Sequence, residues 1–169
     1  MVRRVLAIAA VLVTALLLQS TVFAQLRLLG VRPELLYLVV IAFAFLEGPS
    51  EGAVIGFVAG LAQDMLLNEP KGILALTLTL LGYTIGMLRQ FIVSPSPLLP
   101  TMLVGLGTIG GVLFYVVVSF LLGNFDDPAS FAVRVALLAG LYNAVLTPIV
   151  FPVLRRIAEG SRPRRVVRF

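Results

Sequence analysis

The chain has no cysteine, no histidine and no tryptophan, and only 12% of its 169 residues are charged. Without cysteine there is no disulfide framework and no thiolate nucleophile. Without histidine as well, the usual zinc sites and a Ser-His-Asp triad are excluded. The shortage of charge excludes more: a soluble domain has about a quarter of its residues charged, and so few charges cannot cover the outside of a water-soluble fold. With 60% hydrophobic residues and a mean hydropathy of +1.08, most of the chain has hydrocarbon as its solvent.

What charge there is sits mainly at the ends. The net charge of +5 comes largely from residues 155–168, where Arg155, Arg156, Arg162, Arg164, Arg165 and Arg168 crowd together. A nucleic-acid reading would need stacking aromatics beside these cations, and the tail offers only Phe169. Topology and attraction to anionic lipid explain it instead, so no nucleic-acid partner is expected.

Apolar runs separated by turn residues predict an all-α integral membrane protein, a bundle of six transmembrane helices. The spans lie at about 5–24, 33–48, 52–67, 73–89, 98–122 and 131–154, followed by a basic cytoplasmic tail at 155–169. The first could be a cleaved secretory signal, with Val22-Phe23-Ala24 at the cleavage site; an uncleaved span accounts better for an even helix count. The second begins at Pro33-Glu34, a helix-start signature, and its apolar run from Leu35 to Leu46 covers only about 18 Å, which predicts a short or partly interfacial span. In the last, Pro148 predicts a kink. Six spans place both termini on one side. With that side cytoplasmic, nine basic residues lie inside (Arg3, Arg4, Arg89 and the six of the tail) and four outside (Arg27, Arg32, Lys71 and Arg134).

The stretch from Gly52 to Gly86 is the expected organising element, with the other spans gathered around it. Gly52, Gly56, Gly60, Asp64 and Asn68 recur every fourth residue and form one ridge of the third span; Gly82 and Gly86 do the same on the fourth. In lipid, such small-residue ridges are where helices pack, within a monomer or against a partner. Between the two spans, Pro70 and Gly72 mark a tight turn. Asp64, an acid well inside an apolar run, is read as a buried group bonded to backbone or to Lys71, Arg134 or Arg32, with partner or ligand contact, or proton or ion coupling, as the alternatives. Asn143 is read as an interhelical hydrogen-bonding residue. Arg89 is expected to pair with Glu47 or Glu51 at the cytoplasmic end. Asp64 has no second acid near it, and no phosphate- or dinucleotide-binding loop is present. The expectation is a protein without catalytic residues, metal or cofactor.

Several of these residues together resemble a known family. Arg32-Pro33-Glu34-Leu35-Leu36, Glu47-Gly48-Pro49, Gly56-Phe57-Val58-Ala59-Gly60-Leu61-Ala62-Gln63-Asp64, Pro70-Lys71-Gly72, Ala75-Leu76 and Gly82-Tyr83 resemble the rod shape-determining protein MreD. The likeness covers residues 30 to 90, plus length and span count beyond. It implies a non-enzymatic inner-membrane scaffold of the cell-elongation machinery, which regulates peptidoglycan synthesis. Its partners would be membrane lipids and an MreC-like single-span protein, with RodA, a class B transpeptidase and MreB in a larger complex; a homo-oligomer stays open. The ridge of Gly52, Gly56 and Gly60, or that of Gly82 and Gly86, is the expected groove for the partner's helix. The family is also similar in outline to the S components of energy-coupling factor transporters, and a vitamin-binding subunit of that kind is the alternative. Against it, Tyr37, Tyr83, Tyr115 and Tyr142 look too scattered to line a binding chamber.

Overall fold

A computed structural model describes residues 2–25, 31, 34–66, 72–92, 96, 98–124 and 128–161. Among these residues six helices follow one another: α1 (Val2–Gln25), α2 (Leu35–Glu47), α3 (Pro49–Leu66), α4 (Ile73–Leu88, continued by a 3-10 turn Arg89–Phe91), α5 (Leu99–Leu121) and α6 (Ala129–Ser161). By length and composition α1, α4, α5 and α6 can each cross a membrane. α2 is shorter, and α3 carries three glycines, Gln63 and Asp64 among its apolar residues.

The expected centre moves. α2, not the glycine pair, is the axis of the bundle: it touches α1, α3, α4, α5 and α6, and every residue from Leu35 to Ala44 is buried. A helix apolar on all sides belongs in a core. This also explains its length: at 13 residues, about 20 Å, it is too short for the bilayer, but its neighbours rather than lipid surround it. The other helices form a ring around it in the order α1, α6, α5, α4, α3, with a groove left between α1 and α3.

Some boundaries shift as well. Between α2 and α3 only Gly48 is left, whose φ of 106° suits glycine, and α3 starts at Pro49 rather than at the expected residue 52. α6 runs to Ser161, well into the stretch read as a tail. It stays helical through Pro148 and Pro152, and beside the first the Thr147 hydroxyl donates to the Asn143 carbonyl at 2.6 Å.

Candidate functional site

The glycine ridges face each other. Helices α3 and α4 run antiparallel, and their small residues bring the backbones together along the full contact. A Cβ added at Gly52 would lie 2.6 Å from the Gly82 carbonyl oxygen; one at Gly56 would lie 2.6 Å from the Leu78 carbonyl carbon, and one at Gly60 would lie 2.6 Å from the Ala75 nitrogen. Gly82 and Gly86 are equally closed in, by Gly52 and by Gly48 and Pro49. Real Cβ atoms do not come so close to backbone, so neither ridge has room for a partner's helix. The expected docking groove is filled from within the chain. The reason is general: lipid offers no hydrophobic drive for helix association, so surfaces permitting the closest van der Waals contact find each other first.

Asp64 ends this interface. It is only 2% exposed, and its Oδ2 accepts hydrogen bonds from the Gly72 amide at 2.9 Å and the Ala75 amide at 3.1 Å. Those amides belong to the first turn of α4, whose N–H groups lack intrahelical acceptors and whose positive end favours a carboxylate. Gly72, at φ 98°, turns the chain into α4. Asp64 is thus a cap supplied by the preceding helix. Asn68 and Pro70 lie outside the described residues.

The polar pins of the other helices are partly unforeseen. Arg89 does not form the expected pair. One of its guanidinium nitrogens donates to the Leu46 carbonyl at 2.6 Å, closing the C-terminal end of α2. It is Arg4 of α1 that meets Glu47 at 2.8 Å and Glu51 at 3.5 Å, because the start of α1 runs beside the turn between α2 and α3. At its other end α1 is held by Gln19, which donates to Glu34 at 3.0 Å and accepts from the Leu36 amide at 3.3 Å. A glutamine inside an apolar run is the signal that marks it. Asn143, fully buried, donates to the Glu34 carbonyl at 2.8 Å and to the Thr108 hydroxyl at 3.0 Å, joining α6 to the start of α2 and to α5.

Arg4, Glu47, Arg89 and Arg155 therefore mark one end of the bundle, shared by the starts of α1 and α5 and the ends of α2, α4 and α6. At the opposite end a cavity of about 210 Å³ brings together Glu34, Tyr37, Gln63 and Tyr115, two of the tyrosines that looked scattered in sequence. Among the described residues the buried Gln63 finds no hydrogen-bond partner for its Oε1. The volume is below the roughly 300 Å³ at which small-molecule pockets begin. Among the described residues no group of three metal-ligating side chains comes together.

A tightly sealed α3–α4 pair built on Gly56-x-x-x-Gly60 and Asp64 carries the sequence pattern singled out above. A family model described as rod shape-determining protein MreD matches residues 2–157. The chain belongs to the MreD family. It is accordingly a rod shape-determining protein of the inner membrane, crossing it several times, and the family is one of structural proteins rather than known enzymes. No curated protein and no solved structure matches the chain, so the outline shared with energy-coupling factor S components has no structural support.

Proposed function

We propose that this chain is a non-catalytic scaffold that binds the single membrane helix of an MreC-like partner and so links that partner to peptidoglycan synthesis. The observation that carries the reading is the open seam in the ring. One cylinder accommodates six equal cylinders around it, and helices pack at 8–10 Å between axes. α2 has five neighbours, and the sixth place is the groove between α1 and α3. That groove, about 500 Å³, is walled by Val5, Ile8, Ala9 and Leu12 of α1 and by Val54 and Val58 of α3. Its mouth carries Glu51, half exposed and only loosely held by Arg4, which suits a basic residue flanking a partner's helix. The end bearing Arg4, Arg89 and Arg155 is cytoplasmic in this reading, which the excess of basic residues supports. RodA, a class B transpeptidase and MreB would join through the same assembly.

The test is to fill the seam without touching the core. Ala9→Phe, at an exposed position, should leave the protein folded in the membrane and abolish co-purification of the single-span partner. Ala10→Phe, which faces the cleft between α1 and α6, is the control and should retain it. Retention by Ala9→Phe would remove the seam from the account.

A vitamin-binding subunit is favoured by one observation, the convergence of Tyr37, Tyr115, Glu34 and Gln63. The 210 Å³ cavity they line is too small for a vitamin, which is why the scaffold is preferred.

A further inference from the structure

At the end of the bundle that carries Arg4 and Arg89, a second cavity of about 680 Å³ opens between α2, α5 and α6. Its lining changes character with depth. Pro148, Phe151, Pro152 and Arg155 follow the i, i+3, i+4, i+7 pattern and so share one face of α6, with Arg155 about 10 Å along the axis from Pro148. Toward Pro148 this face of α6 is mainly apolar, and beside it the Phe45 and Phe151 rings lie 6.1 Å apart at 55°. The rim is polar. Arg89 arrives from the end of α4, Arg155 from α6 and Thr101 from the first turn of α5, whose N-terminus adds the positive end of its dipole.

The rim chemistry suits a phosphate. A guanidinium has five N–H donors in a planar fork that fits phosphate oxygens, and hydroxyls and helix N-termini are its common companions. Arg89 is held in place by its bond to the Leu46 carbonyl, which reduces the entropy lost when a ligand is bound. The bond from Arg155 to Glu159, at 2.7 Å, engages Nε and leaves the outer edge of the fork to other acceptors. Glu159 also lines the cavity and opposes an anion; two guanidinium groups outweigh it.

We infer that this cavity is a binding site for an anionic phospholipid: its phosphate sits between Arg89, Arg155 and Thr101, and an acyl chain runs down the Pro148–Phe151 face. The apolar shaft decides for a lipid over a free phosphate, which would use only the rim. Basic pockets between membrane helices bind anionic headgroups in this way.

The experiment is native mass spectrometry of the full chain in detergent, titrated with phosphatidylglycerol or with phosphatidylcholine of the same acyl chains. Phosphatidylglycerol should be retained at one copy per chain at concentrations where phosphatidylcholine is not. Arg155→Gln should weaken it roughly tenfold, the scale of one charge-assisted contact. Arg156→Gln, at another exposed arginine that does not line the cavity, should leave it unchanged. Glu159→Gln, which removes the opposing carboxylate, should strengthen binding and supplies the test should Arg155→Gln fail to fold. Equal retention of the two lipids overturns the site, and so does an equal loss from Arg156→Gln, which would mean diffuse surface charge. Displacement of the lipid by inorganic phosphate would assign the rim to a soluble anion and overturn the lipid.

Discussion

Helix α1 and the α3–α4 pair hold to the molecule in opposite ways. α1 is a long, strongly apolar helix, yet only 11% of its membrane-crossing stretch is buried, and Val5, Leu6, Val13 and Leu17 are exposed. α3, broken by three glycines, Gln63 and Asp64, does not reach the hydropathy of a membrane span, and it is the helix seated most closely against another backbone. In water the order would be reversed. In hydrocarbon a leucine gains little by leaving lipid for protein, so hydrophobicity does not rank contacts; close approach of small residues and satisfied polar groups do. α1 is accordingly fastened by Arg4 at one end and Gln19 at the other, with grooves on either flank, whereas α3 and α4 are joined along their length. A loosely fastened helix beside an open seam is where a partner can enter.

This contrast can be broken by mutation, most severely in the glycine pair. Gly56→Ala places a Cβ against the Leu78 carbonyl with no flexible side chain to yield, so the backbones must separate. A loss of about 3 kcal/mol or more is expected, measured by unfolding in mixed micelles. Asp64→Ala comes next: it strips the Gly72 and Ala75 amides of their buried carboxylate, and about 2–3 kcal/mol should be lost, with Asp64→Asn recovering part because one oxygen acceptor remains. Arg4→Gln acts on α1 alone. It leaves a largely buried Glu47 carboxylate short of its cation and should cost about 1–2 kcal/mol. Here the sharper readout is disulfide trapping between engineered cysteines on α1 and α2. The chain has no cysteine of its own to interfere, and trapping should slow while α3–α4 trapping does not change. The smallest effect sharpens the comparison from the other side. Gly110, within α5, has nothing within 4 Å of an added Cβ, so Gly110→Ala should stabilise by about 0.5–1 kcal/mol through helix propensity alone.

Much of this was legible in the order of residues. The six helices, the brevity of the second, the glycine turns at 48 and 72 and the four-residue ridges follow from local pattern, because apolar runs, caps and breakers act within a few residues. Which ridge meets which surface does not, since it depends on three-dimensional neighbours. The glycine ridges could have served a partner, and only the antiparallel seating of α3 on α4 closes that use. α2 illustrates the same limit: a short apolar run reads as a deficient span until its neighbours are known to enclose it. Residue order offers Arg89 to Glu47 and Glu51, but Arg4 reaches them because the start of α1 runs beside that turn. Tyr37 and Tyr115, far apart in the chain, line one cavity for the same reason.

The central claim is that the glycine interface holds the fold, while partners are served by the seam beside α1. It is tested most directly by one paired measurement: thermal stability and partner co-purification of Gly56→Ala and Ala9→Phe, side by side. The account predicts that Gly56→Ala lowers the stability of the isolated chain, whereas Ala9→Phe keeps it and loses only the partner. A Gly56→Ala protein as stable as the parent, but unable to hold the partner, would contradict it.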